Sequence, residues 1–163
     1  GNDTGGDYGL TTGQSNAIGN ASSPSTNNNM WMSYRGIENF YADCWEVLDG
    51  VNINNYVFYV NQNYTTFASD VFTGDYVSKG TTIAASASYI TRCAVSVSGG
   101  WIPSVIGGAS TTYYGDVFWS ATGARVALFG GDAASGSVGG AGALSVNDAS
   151  SVSGTNVGGA VCF

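Results

Sequence analysis

Ile37-Glu-Asn-Phe-Tyr-Ala-Asp-Cys-Trp-Glu-Val-Leu48 is the stretch whose reading decides the fold. Its apolar residues fall at Ile37, Phe40, Tyr41, Cys44, Trp45 and Leu48. That is helix spacing, with one broad apolar stripe and Glu38, Asp43 and Glu46 off it. Gly50 follows as a C-terminal stop. The spacing therefore predicts a helix over 37–48, with Glu38, Asp43, Glu46 and Asp49 as its solvated face and Glu38 favourably placed near the positive N-terminal end.

Working outward, Val51 to Val60 carries the β-branched and aromatic weight of a strand. Thr91 to Ser98 alternates Cys93, Val95 and Val97 with polar or small neighbours, which predicts another. Gly99-Gly100, Pro103 and Gly107-Gly108 predict an irregular loop around Trp101. Asp70 to Tyr76 suits a turn or a short helix, and further strands are expected at 116–119, 125–130, 140–146 and 157–163. Residues 1–30, mostly Gly, Asn, Ser and Thr, predict an extended arm ahead of one domain over 31–163. Helix first and many short strands after it predict an α+β fold, not a βαβ repeat.

Composition removes several function classes. The 163 residues include no His, four Lys and Arg and 11 Asp and Glu, for a net charge of −7. An acidic chain so poor in cations has no basic patch for nucleic acid or an anionic membrane. Its apolar runs are too short for membrane insertion. With no His, the commonest general base and metal ligand is missing, and no Ser, Cys or Thr has a recognisable base partner. Cys44, Cys93 and Cys162 are not spaced for metal; they suit buried thiols, or a single Cys44–Cys93 or Cys93–Cys162 bridge in an oxidising setting. The glycine pairs lack the Lys or third Gly of a phosphate loop and suit turns and bulges. Asp132, Asn147 and Asp148 lack the alternation of a calcium loop. No cofactor, no metal and no catalytic residue is expected. The chain begins at Gly, as a processed form or a segment of something longer would.

From Ser120 to Phe163 the chain contains none of its eleven Lys, Glu, Gln, Met and Trp residues. By proportion roughly three would fall there. Codons ending in a pyrimidine cannot encode those five amino acids.

Three segments carry a resemblance. Met32 to Ile53, with Trp45-Glu46-Val47, resembles a segment of the formylglycine-generating-enzyme-like branch of C-type-lectin-fold proteins. Arg125-Val-Ala-Leu-Phe-Gly-Gly-Asp132 resembles that branch's Arg-Val-x-Arg-Gly-Gly-Ser-Trp strand, and Asn156-Val-Gly-Gly-Ala-Val-Cys-Phe163 resembles its closing strand. The order is the family's, and within the branch the chain looks like the variable proteins of diversity-generating retroelements. In those, adenines of a C-terminal repeat are randomised, usually at Asn codons ending in a pyrimidine, which agrees with the five missing amino acids. Ala133 and Ala160 stand where the branch usually has Trp and Arg, and the cysteines do not reproduce the paired arrangement of the formylglycine-generating enzyme.

The resemblance implies a C-type lectin fold, with one or two helices packed on short, mostly antiparallel strands and much irregular loop. It also implies a non-enzymatic receptor-binding protein, on a phage tail tip or bacterial cell surface, whose variable region spans about 113–163. A protein or glycan receptor on a host cell is the implied partner, and tail-tip relatives imply a homotrimer. Alternation predicts that Val126, Leu128, Leu144, Val157 and Val161 face inward. The expected replaceable positions are Asp132, Ala133, Ala134, Ser135, Val138, Ser145, Asn147, Asp148, Val152 and Gly154. Tyr113, Tyr114, Asp116 and Phe118 would add contacts, although Phe118 and Trp119 suit an ordinary core equally well. A structural virion or appendage subunit, assembling through its Gly-rich face, is the alternative.

Overall fold

The computed structural model describes residues 33–34, 37–38, 44–95, 101–112, 114–132 and 134–159. Strand accounts for 49% of the structure and helical residues for 5%, the latter as two 3-10 turns, Tyr64–Thr66 and Gly136–Val138. This overturns the α+β expectation and the C-type lectin fold with it: the chain is nearly all β, a sheet curled into a half-barrel. Of the expected helix, 39–43 lie outside the described residues, and Trp45 to Leu48 are strand. The 1–30 arm, 96–98 of one expected strand and 160–163 of another also lie outside them.

Among the described residues eleven strands run in chain order: β1 (Ser33–Tyr34), β2 (Ile37–Glu38), β3 (Trp45–Asn54), β4 (Val57–Val60), β5 (Val77–Thr81), β6 (Ser88–Val95), β7 (Trp101–Ile106), β8 (Val117–Ser120), β9 (Ala124–Gly130), β10 (Gly140–Val146) and β11 (Val157–Gly159). β1 and β2 form a two-stranded ladder of their own. The rest form one sheet in the order β5-β4-β3-β9-β10-β8-β6-β7, with β11 added in parallel to the start of β3. Most pairings are antiparallel; β10 with β8 is the second parallel one.

The helix was mistaken for a physical reason. β3 is a central strand with β4 on one side and β9 on the other, buried at Gly50, Asn52 and Ile53, exposed at Asp49 and half-buried elsewhere. Its sequence Trp45-Glu-Val-Leu-Asp-Gly-Val-Asn-Ile-Asn54 alternates at each end, but Val47-Leu48 and Asp49-Gly50 break the period in the middle, which leaves 45–48 open to a helical reading. Gly50, taken as a helix stop, sits inside β3 at φ +77°, within the register shift against β9. A Cβ there would lie 2.8 Å from the Asn61 carbonyl oxygen. The expected strand 51–60 is two strands joined by a tight turn at Asn55 and Tyr56, at φ 48° and 71°, the backbone that hairpin twist demands. The expected loop around Trp101 is β7. Its Pro103 is tolerated because β7 is the last strand of the sheet and pairs only with β6.

Inside the curl, Ile53, Phe58, Ile90, Ile102, Phe118, Ala127 and Val146 form the buried core, with Leu144 packed against it. On the outer face Val117, Val126, Leu128 and Ala143 are also buried, because loops lie across them. Trp45 and Trp119 meet edge to face there, 5.5 Å between ring centres. Val126 and Leu128 are buried but lie on the outer face, not facing inward with Leu144 as expected; Leu144 and Val157 are half-buried, and Val161 lies outside the described residues.

Leu128→Ala would remove a fully covered side chain on the outer face and is expected to lower stability by about 2–5 kcal/mol, read from a chemical denaturation curve. Far-UV circular dichroism of the parent chain should give a β-type spectrum with no helical double minimum.

Candidate functional site

The sheet topology sorts the expected site residues into two groups. β9 ends where β10, β8 and β3 begin, so the loops 107–116 and 131–139 and the entry to β11 share one end of the sheet. Tyr114, Asp116, Asp132, Ala134, Ser135, Val138 and Gly154 belong to that end. Ser145, Asn147 and Asp148 lie towards the other. Residues 147–156 run between the two ends along the outer face.

Main-chain bonds fix this segment at both ends. Asp148 O accepts from Val126 N at 2.9 Å, and Asn156 O accepts from Trp45 N at 2.8 Å. A turn bonds Val152 N to Ala149 O at 2.9 Å, and Ser150 Oγ donates to Asp70 Oδ2 at 2.6 Å. Asp70 belongs to a second covering loop, 61–76, held by side chains. Buried Asn52 donates to Ala68 O and Val71 O at 2.8 and 2.9 Å, and Tyr76 Oη donates to Ala68 O at 2.7 Å.

Several expected contact residues turn out to be fasteners. Asp132 is buried; its carboxylate accepts from Ser135 Oγ at 2.7 Å and from Asn156 Nδ2 at 2.6 Å, tying loop 131–139 to the end of the strap. Asp116 accepts from Gly142 N at 2.7 Å, and a Cβ on Gly142 would come within 2.9 Å of the same carboxylate. That close approach is why β10 opens Gly-Ala-Gly. Ser145 is buried, its Oγ 2.6 Å from Asn147 Oδ1 and 3.1 Å from Asp148 Oδ2. Phe118 is fully buried in the core. The expected exposure of Asp132 and Ser145, and any surface contact by Phe118, are corrected accordingly. Alternation alone does not reveal that a loop covers the second face of a strand.

The rest are accessible. Ala134, Asn147 and Gly154 are exposed, Tyr114 is 46% exposed, and Ser135, Val138, Asp148 and Val152 are half-buried. Tyr113 and Ala133 lie outside the described residues. A Cβ on Gly154 would lie 2.7 Å from Asn156 Oδ1, so a side chain there pushes on the Asn156–Asp132 clasp. Sequence reasoning did not single out Ala149, Ser150, Ser151, Ser153 and Thr155, all exposed on the same strap. Nor did it find Asn52, Asn61 and Asn156, whose buried or half-buried amides hold the covering segments.

Among the described residues no three His, Cys, Asp or Glu side chains group to hold a metal ion, and no helix is long and apolar enough to cross a membrane. Cys44 and Cys93 are not bonded to each other, and Cys162 lies outside the described residues. Burial pushes the Cys93 thiol up, and a hydrogen bond with Tyr114 offsets part of that rise. A thiol so held stays protonated and is a poor nucleophile near neutral pH. No family model, curated protein or solved structure matches the chain.

Asp132→Ala is expected to cost about 1–3 kcal/mol and to speed hydrogen exchange at the Trp45 amide, because its acceptor Asn156 loses its clasp. Tyr114→Phe removes the bond that favours the Cys93 thiolate, so alkylation of Cys93 at mildly alkaline pH should slow, never quicken. Mass spectrometry of the modified peptide reads that rate.

Proposed function

We propose that this chain is a non-enzymatic display protein that binds a protein or glycan receptor on a host cell surface, carried on a phage tail tip or a bacterial surface. One observation carries the reading. The strap 147–156 is anchored at its ends through main-chain atoms, while the side chains of Ala149, Ser151, Ser153 and Thr155 are exposed. A segment built this way can change its residues without losing its course, which is what a variable recognition surface requires. Tyr114 adds an exposed aromatic ring, the residue type that supplies contact area at low entropic cost. Diversification by a retroelement belongs to the same proposal and rests on the five amino acids missing from Ser120 to Phe163. So does assembly as a homotrimer.

The alternative, a structural virion or appendage subunit, relied on a Gly-rich assembly face. An oligomer that buries residues 132–154 would favour that alternative over the display reading.

Genomic DNA around the coding region should hold a near-copy of its 3′ end, differing only at adenines and beside a reverse-transcriptase gene. A near-copy differing at all four bases, or none at all, would remove the diversification proposal. Replacing Ala149, Ser151 and Ser153 together by bulky residues should change receptor binding while stability moves by no more than about 0.5 kcal/mol per site.

A further inference from the structure

The side of the sheet opposite the strap holds a second feature. A cavity of about 320 Å³ opens inside the curl, walled by Leu48, Val51, Phe58, Ile102, Phe129 and Leu144, with Lys79 as the one charged residue of its lining. A curled sheet of about eight strands is either filled by its own side chains or left wide enough for one small ligand. Here the small residue Ala127 stands in the wall where bulk would fill the space.

The lining suits water poorly. The volume would take about ten waters at liquid density, yet no side chain in the wall except Lys79 carries a polar group. Lys79 is the only lysine of the chain. It is half-buried, and it makes no ion pair or hydrogen bond among the described residues. Its ammonium, partly open to solvent, is the one cationic group at the edge of an apolar cavity. An occupant with an apolar body and one anionic group would satisfy the wall and the cation together.

We propose that this cavity binds an amphiphilic carboxylate, its apolar chain lying between Phe58, Phe129 and Leu144 and its carboxylate paired with Lys79. A single ammonium with no arginine in the lining suits a monoanionic carboxylate better than a phosphate, which planar guanidinium forks recognise. The site lies inside the curl and is independent of the display surface outside it.

The test uses the full chain with decanoate, decanol and decylamine, titrated by calorimetry. Decanoate should bind at least about tenfold more tightly than decanol, and decylamine most weakly. Lys79→Met should erase the preference for decanoate and leave decanol binding within about threefold. Val60→Phe, which narrows the cavity from β4, should weaken both. Circular dichroism melts show that each variant is folded, and if Val60→Phe fails to fold, the Lys79→Met comparison decides alone. Equal binding of decanoate and decanol to the parent overturns the proposal, as does an unchanged preference in Lys79→Met. Sedimentation showing a dimer that does not take up decanoate also overturns it, because a second copy then covers the cavity.

Discussion

The curl of the sheet depends on four residues that belong to none of its strands. Residues 82–85 leave β5 and cross to the far side of the curl. Thr82 N bonds to Tyr56 O at 2.8 Å, between β3 and β4. Thr82 Oγ1 and Ile83 N both bond to Pro103 O on β7, at 2.8 and 3.1 Å. Ala85 and Ser120 exchange main-chain and hydroxyl bonds at the end of β8, and Ser120 Oγ also donates to Ile83 O at 2.9 Å. Thr82, Ala85 and Ser120 are buried, so each unmade bond would carry its full desolvation cost. This crossing draws the β5 end of the sheet towards the β7 end, and the concave core and its cavity follow from it.

What was legible in the sequence follows from how each strand is covered. β8, β9, β10 and the start of β11 were located within a residue or two, because their β-branched and aromatic runs lie between glycine turns. β3 was not, since Val47-Leu48 and Asp49-Gly50 break its alternation and leave Trp45-Glu46-Val47-Leu48 open to a helical reading. β7 was hidden by Pro103 and the glycines before it, signals that suit an edge strand as well as a loop. The site divides the same way. Exposure of Ala134, Asn147 and Gly154 could be read from small polar surroundings. The fastening roles of Asp116 and Asp132 depend on partners 26 and 24 residues away, and no local pattern encodes such pairs.

The C-terminal stretch thus separates into two kinds of residue. One kind, Asp116, Asp132, Ser145 and Asn156, makes its fastening bonds through carboxylate, hydroxyl or amide side chains. The other, Ala134, Ala149, Ser151, Ser153 and Thr155, stands on those loops with its side chains outward. Fixing the course of a loop by main-chain bonds and a few buried acceptors frees the remaining positions to vary. It also limits them, since Gly154 and Gly142 each sit against a fastening side chain and leave no room for a Cβ.

The most direct measurement sorts two libraries of the chain for folding on a display platform. One library is randomised at Ala134, Ala149, Ser151, Ser153 and Thr155, the other at Asp116, Asp132, Ser145 and Asn156. Most members of the first should fold, and most of the second should not. Equal folded fractions in the two libraries would contradict the division between fastening and displayed residues on which the binding proposal stands.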